Sequence, residues 1–328
     1  MQPEPLVSIL TPTWNRVNYL ERVWKGINNQ TYKQIEWIVC NDGSTDSTEN
    51  KLKELYERSK FPIKIISSNV HIGKARMDNE AILIAEGKFI VWNDSDDYLL
   101  PNAIERLVQT WNLIPESERR NYVGVTAQCS SEEESNVSLS NLSYLDDYDL
   151  TWNDLREKFN VTGDMLYFFK AEILKNYKFP EVDFVIPEGY IWTELGNHKK
   201  TRILPEILQI KQYRAEHCIS FSNKMEYSRG RAYALAEITK NLKKYKKTYK
   251  KNIWLNITFI RYCLHGDINL KLAKELWGNN SSSVIFYLVY PIALATAKID
   301  ILQKKVIKTH IEFESAAKKC IISINKIV

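Results

Sequence analysis

The segment KFIVWNDSDDYLLP, residues 88–101, sets three carboxylates, Asp94, Asp96 and Asp97, directly behind an apolar run. Carboxylates this close repel one another, so the arrangement calls for a positive charge to meet them. Where the chain turns at the end of a strand, Asp94 and Asp96 face one open rim. Paired hard oxygen ligands of this kind suit Mg2+ or Mn2+, which complete their shells with water and substrate phosphates. A metal diphosphate is the natural guest. The local alternative is that Asp94 and Asp96 cap the following helix and Asp97 is solvated.

No GxGxxG follows the first apolar run and no GxxxxGK[ST] occurs, so neither glycine-rich phosphate cradle is present. Metal and cationic side chains would hold the phosphates instead, and Lys74 and Arg76 sit just ahead of the helix that precedes this strand. The elements that must position these groups alternate. LVSILTP reads as a buried strand, and Tyr19, Val23 and Ile27 recur on one helix face. IEWIVCNDGS, IKIISS and KFIVWN read as further strands, separated by a capped helix in STDSTENKLKELYERS and a helix over residues 73–85. Apolar strands joined by helical crossovers imply an α/β fold with a mostly parallel sheet and helices on both faces. Ligands collect at the carboxyl ends of such strands, so TPTWNR, NDGSTD and NDSDD should converge on one rim.

Further on, a helix is expected over residues 102–113, strands in YVGVTAQC and MLYFF, a short helix in PEGYIWTELG and extended chain in TRILPEILQIKQYR. The polar stretch SSEEESNVSLSNLSYLDDYDL reads as a mobile loop or flap. Beyond about residue 222 Lys-rich helical patterns take over. The expected division is therefore 1–221, itself split at 110, followed by a helical region 222–328.

The net charge of +5 is unevenly placed, acidic in the first two thirds and Lys-rich in the last, which suggests a surface-binding tail. In KNLKKYKKTYKK the cations alternate with Tyr245 and Tyr249; a solvated helix or an anionic membrane surface accounts for this better than nucleic acid, for which no motif is present. The five cysteines lack CxxC spacing, which argues against a zinc site or disulfide framework and fits a reducing cytosol. No basic segment precedes an apolar one at the N-terminus, so no secretory leader is expected. The longest apolar run, residues 284–297, has 14 residues, short of the ~20 that cross a bilayer. It could lie on a membrane or be a core helix.

VSILTPTWNR, IEWIVCNDGSTDST and NVHIGKARMDNEAILIAEGKFIVWNDSDDYLLP together resemble the family 2 glycosyltransferases of the GT-A fold, over roughly residues 6–110. The resemblance implies a nucleotide-sugar donor, usually a UDP-sugar, and inverting transfer. It places Thr11 beside the base, Asp42 at the uracil, Arg76 near base and diphosphate, Asp94 at the ribose and metal, and Asp96 on the metal. MDN in place of N after Arg76 departs from the usual pattern. Taken singly, Thr11 could be a strand-end turn, Asp42 a helix cap and Arg76 a surface cation.

Inverting transfer needs a group to take the acceptor hydroxyl's proton. The family commonly carries an Asp in ED four residues before a Trp; here PEGYIW puts Glu188 four residues before Trp192. A Glu at a helix N-terminus is held as the anion by the helix dipole, and Glu194 is the fallback base. Asp164 in TGDMLYF resembles an acceptor-side position and His217 a further metal or phosphate contact. A saccharide or lipid-linked saccharide acceptor follows from the resemblance, with a cytoplasmic protein that could be peripheral on the inner face of the plasma membrane through its C-terminal helices. Rival readings are a nucleotidyltransferase, which would want glycine in the loop TPTWNRVNYL, and an inactive saccharide-binding scaffold, against which the intact carboxylates speak.

Overall fold

The structure is a computed structural model and describes residues 4–133, 137–142, 148–196, 199–212, 227–243, 249–278, 283–303 and 322–327. It contains two compact units. The first comprises Met1–Glu181, Leu195–His217 and Phe313–Val328, the second Val182–Glu194 and Cys218–Glu312. The division expected at 221/222 falls outside the described residues.

The first unit opens with the expected repeat: β1 (Val7–Thr13), α1 (Val17–Asn28), β2 (Ile35–Asp42), α2 (Thr48–Arg58), β3 (Ile63–Ser68), α3 (Lys74–Ile84) and β4 (Phe89–Trp92). β3, β2, β1 and β4 lie side by side and parallel. Every residue of β1 and β2 is buried, as in a sheet covered on both faces. Val7, Ile9, Trp37, Val39, Phe89 and Val91 point to the face where α1, α2 and a later helix supply Leu20, Leu52 and Trp111. Phe89 stacks on Phe168 at 4.2 Å and meets Trp111 edge-on at 5.0 Å. Each such side chain contributes about 1.5–3 kcal/mol through burial. α3 covers the opposite face with Met77, Ala81 and Ile82, and its Met77 carbonyl accepts from the Cys40 thiol.

That second face also buries charge. Glu36 accepts from Ser8 Oγ at 2.5 Å and from the Glu86 amide at 2.7 Å, while Lys64 Nζ pairs with it at 2.6 Å. The network ties β1, β2, β3 and the turn before β4 at the edge where the parallel strands begin.

β5 (Tyr98–Leu99), α4 (Ala103–Asn112), β6 (Tyr122–Ser131), β7 (Asp149–Thr151), β8 (Met165–Lys170), α5 (Ala171–Leu174), α6 (Gly189–Gly196) and β9 (Lys200–Lys211) follow. Here the sheet becomes mixed: β8 is antiparallel to β4, β6 antiparallel to β8, β9 parallel to β6, and β5 and β7 antiparallel to β9. The expected flap lies partly outside the described residues; its described parts form a bridge between Ser130 and Ser138 and the strand β7.

The second unit takes in residues 189–194 of α6 and contains α7 (Ser228–Lys243), α8 (Tyr249–His265), α9 (Leu270–Trp277) and α10 (Ser283–Leu302), with a core that includes Ala232, Phe259, Trp277 and Phe286. The Asn269 side chain caps α9 by accepting from the Leu272 amide at 2.9 Å. Of KNLKKYKKTYKK, residues 244–248 lie outside the described residues. One element differs from the helical expectation: β10 (Ile322–Ile327) pairs antiparallel with β3 and extends the sheet of the first unit. ISIN at its start has the alternation of a strand, which Lys326 and the lysine-rich surroundings obscure.

Candidate active site

Parallel strands end at one edge, and the loops after β1, β2 and β4 meet there. They are laced by side chains. The Asn15 amide donates to Ser44 Oγ at 2.9 Å, and Asn15 Oδ1 accepts from the Thr45 amide at 2.8 Å. Asp46 accepts from the Val17 amide at 3.2 Å, joining the same two loops. Gly43, at φ 65°, passes so close to the chain that a Cβ would sit 2.2 Å from the Val70 carbonyl carbon, so only glycine fits.

Thr11 is fully buried. Its hydroxyl donates to the Asn93 carbonyl at 2.8 Å and accepts from Trp37 Nε1 at 2.9 Å, binding the end of β1 to β2 and to the turn that begins the acidic run. Asp42, the last residue of β2, is 2% exposed and gathers the loop before α3. It accepts from the Ile72 amide at 2.7 Å and the Gly73 amide at 2.9 Å, and His71 Nδ1 lies 2.9 Å from the same carboxylate. The His71 ring stacks on Trp14 at 4.0 Å and 11°. Arg76, in the first turn of α3, donates to the Ile72 carbonyl at 2.8 Å and so braces that loop from the helix side.

The acidic run meets three cations. Arg16 Nη1 lies 3.4 Å from Asp96, Lys74 Nζ 3.7 Å from Asp94, and Lys211 Nζ 2.8 Å from Asp97 and 3.8 Å from Asp94. The Gln212 amide also donates to Asp97 at 3.2 Å. The environments drive the three carboxyls apart. Burial raises the pKa of Asp94, but Lys74 and Lys211 outweigh it and hold the group below the ordinary carboxylate value. For Asp96 burial comes first and the Asp94 charge adds to it, so its pKa is raised despite Arg16. Burial pushes Asp97 up to about 7 against the pull of Lys211. Burial disfavours the charge on Lys211, yet Asp97 and Asp94 together keep its pKa well above the usual lysine value.

The donor set fits a hard divalent cation. Asp94 and Asp96 offer carboxylate oxygens at the rim, and buried Asp94 Oδ1 has no hydrogen-bond donor, Lys74 standing off at 3.7 Å. No group of three or more His, Cys, Asp or Glu side chains among the described residues is disposed to hold a metal by itself. Phosphate oxygens and water would therefore complete the shell.

β8 runs antiparallel to β4, so Asp164, just before β8, stands at the edge where β4 ends, and its charge acts on Lys211. Glu188 and Glu194 belong to the second unit. The Glu188 carbonyl accepts from the Ile191 amide at 3.0 Å at the start of α6, so Glu188 does occupy the helix N-terminus expected of it. His217 lies outside the described residues. Trp14, Arg16, His71 and Lys211 are not singled out by motif or spacing in the sequence. Trp14 and Arg16 stand inside the TPTWNR loop, where their signal is present; Lys211 carries none, because its importance arises only when β9 pairs with β5 directly after the acidic turn. A cavity of about 460 Å3 lined in part by Tyr32, Lys88, Trp111 and Arg119 opens near the starts of β1 and β4 and contains none of these residues.

A parallel first half, a mixed second half and an acidic rim after β4 define a GT-A glycosyltransferase. Residues 8–178, just over half of the chain, match the family described as Glycosyl transferase family 2, and the chain belongs to that family. The GalNAc(5)-diNAcBac-PP-undecaprenol beta-1,3-glucosyltransferase of Campylobacter jejuni is 28% identical over 287 residues, covering 82% of this chain and 90% of that relative. Other relatives match about a third of this chain, which spans from 10% to 42% of their lengths. Among solved structures, S. aureus TarS 1-349 in complex with UDP-GlcNAc aligns with a TM-score of 0.58 at 16% identity, over 98% of this chain and 97% of that one. A mannosyltransferase from Pyrobaculum calidifontis in complex with GDP-Man and Mn2+ aligns with a TM-score of 0.52 at 16% identity, over 93% and 89%. At that identity the likeness is one of fold.

Proposed function

We propose that the enzyme transfers a sugar from a nucleotide diphosphate donor, a UDP-sugar, to a hydroxyl on a growing bacterial surface glycan, with inversion at the anomeric carbon. The observation that carries this reading is the rim at the ends of β1, β2 and β4, where Arg16, Lys74 and Lys211 face Asp94, Asp96 and Asp97. It combines anionic and cationic groups in the way a metal diphosphate requires. The name of the C. jejuni relative, which carries an undecaprenol-linked saccharide, favours a lipid-linked acceptor.

Each residue then has a task. Asp42 holds the 71–73 loop, and Trp14 with His71 offers a flat aromatic face beside it for the base. Thr11 fixes the turn from which Asp94 projects, and Arg76 braces the loop near the diphosphate. Asp94 and Asp96 would hold Mn2+ or Mg2+, which offsets charge on the departing diphosphate when bound. Asp164 orients an acceptor hydroxyl. Glu188 takes the acceptor proton as the oxygen attacks, its carboxylate favoured by the N-terminus of α6.

A panel of nucleotide sugars with Mn2+ or Mg2+, read by melting temperature and then by turnover on lipid-linked saccharide, tests the reading. A ligand at 100 times its Kd stabilises the native state by about 2.7 kcal/mol. If no nucleotide sugar raises the melting temperature and none is consumed, the reading fails.

A further inference from the structure

α10 has two opposed faces. Phe286, Val289, Ala293 and Ala297 recur every three or four residues and are buried in the second unit. The other side is solvent-exposed and apolar. Leu288 is 70% exposed, Ile292 52%, Ile299 48% and Leu302 81%, and the exposed Leu294 and Ile301 widen the surface. At about 100° per residue these positions span an arc of roughly 180°. Lys298 is the one charged residue on it. Thr296 adds little polarity, because its hydroxyl donates within the helix to the Ile292 and Ala293 carbonyls at 3.0 and 2.8 Å.

Three occupants could cover such a surface, and the geometry separates them. A second copy would pair through a narrow apolar seam flanked by charges of both signs. This arc is wide, and its charge is a lone lysine. A bilayer-spanning helix is permitted by length, since Ile285–Leu302 gives 18 residues of mean hydropathy 1.6. Asp300 opposes it. That carboxylate is buried against α8, where Arg261 donates to it and His265 Nε2 lies 3.0 Å away, so one side of α10 is committed to a polar, packed core. What fits is a helix lying flat, its apolar arc in the acyl boundary and cations at headgroup level. The cations reach headgroup level from on and beside the arc: Lys298 lies on it with a stem long enough to snorkel, Lys274 Nζ of α9 sits 4.2 Å from the ring centroid of the exposed Tyr287, and Lys271 is exposed on the same helix beside the exposed Glu275.

We propose that the exposed face of α10, centred on Leu288, Ile292 and Ile299, docks on an anionic lipid surface, with Lys274 and Lys298 meeting the headgroups. The proposal is independent of the sugar or acceptor used. The test is co-sedimentation of the full chain with phosphatidylcholine vesicles with and without phosphatidylglycerol. The wild type is expected to pellet with the anionic vesicles and to be released by alkaline carbonate. Leu288→Glu/Ile292→Glu is expected to weaken binding at least ~10-fold with an unchanged melting temperature, since both side chains are exposed. Lys274→Glu/Lys298→Glu should weaken it less and remove its salt dependence. Absence of wild-type binding, retention by the Leu288→Glu/Ile292→Glu variant, or resistance to carbonate overturns the proposal. So does a dimer, seen by light scattering, that the same variant dissolves while vesicles bind neither protein.

Discussion

Replacing Lys211 by Met isolates the electrostatics that hold the acidic rim together. Nζ lies 2.8 Å from Asp97 and 3.8 Å from Asp94, with 15% of the Lys211 side chain and 4% of the Asp97 side chain exposed. With Asp97 ionised, above its pKa of about 7, the closer pair attracts by about 6 kcal/mol at an effective dielectric of about 20. Part of this is offset by the cost of taking both charges out of water, and deleting one partner of a buried pair typically costs about 3–5 kcal/mol. Met keeps the length and apolar stem, so the loss reports on charge rather than packing. Urea unfolding followed by a first-unit tryptophan should show a loss of about 3 kcal/mol, or roughly 6–12 °C in melting temperature for a domain of this size. Asp97→Asn alone should cost less, because Lys211 retains Asp94. The double variant Lys211→Met/Asp97→Asn should recover about 2 kcal/mol of the summed losses, since neither charge is then left alone. Additive single losses, or a Lys211→Met cost under about 1 kcal/mol, would show that the pair does not hold the rim.

Four other outcomes are expected. Asp96→Asn should abolish metal-dependent turnover while the melting temperature holds within about 2 °C, as the side chain sits at the rim rather than in the core. Glu188→Gln should lower kcat by about 100- to 10,000-fold and leave the donor-induced melting shift intact, measured by single-turnover and thermal assays. Glu36→Ala leaves buried Lys64 with only the exposed Glu86 as counter-charge, and denaturant curves should show a loss of about 3–5 kcal/mol. Burial raises the Asp300 pKa, but hydrogen bonds from Arg261 and His265 outweigh it and leave the group below its ordinary value. A depressed folded pKa means stability that is complete above the unfolded value of about 3.9 and is lost as pH falls through the folded one. The second unit should therefore lose stability on acidification below about pH 4, and Asp300→Asn should flatten that dependence.

The parallel half of the fold was legible because each step there is local. β1 to β4 are strands of four to eight residues, each holding a short apolar stretch, their helices carry apolar faces, and right-handed crossovers leave few ways to join them. Beyond β4 the order β8, β6, β9, β5 depends on long returns whose pairing no local pattern specifies. β10 shows the same limit. Its first four residues alternate as a strand, but the decision to pair with β3, some 250 residues earlier, is tertiary. α10 was underestimated for another reason: an apolar run ended at Lys298 by composition, whereas the helix continues to Leu302 because Asp300 finds Arg261 and His265 across the interface.

The site divides along the same line. Carboxylates cluster in sequence because one turn must present them together, so Asp94, Asp96 and Asp97 could be picked out by spacing. Their counter-charges obey no such rule. Arg16, Lys74 and Lys211 arrive from the ends of β1, the start of α3 and the end of β9, and each is an ordinary cation until the sheet closes around the acidic turn. The repulsion evident in the sequence is met by topology: here other elements deliver cations to the edge where the acidic run lies. Such cations satisfy the carboxylates when no donor is bound, and they are the charges that an arriving diphosphate would draw away. The ion pairs at 3.4, 3.7 and 3.8 Å are looser than the 2.8 Å pair of Lys211 with Asp97. Asp97 thus anchors the turn, and Asp94 and Asp96 are left with oxygens to give.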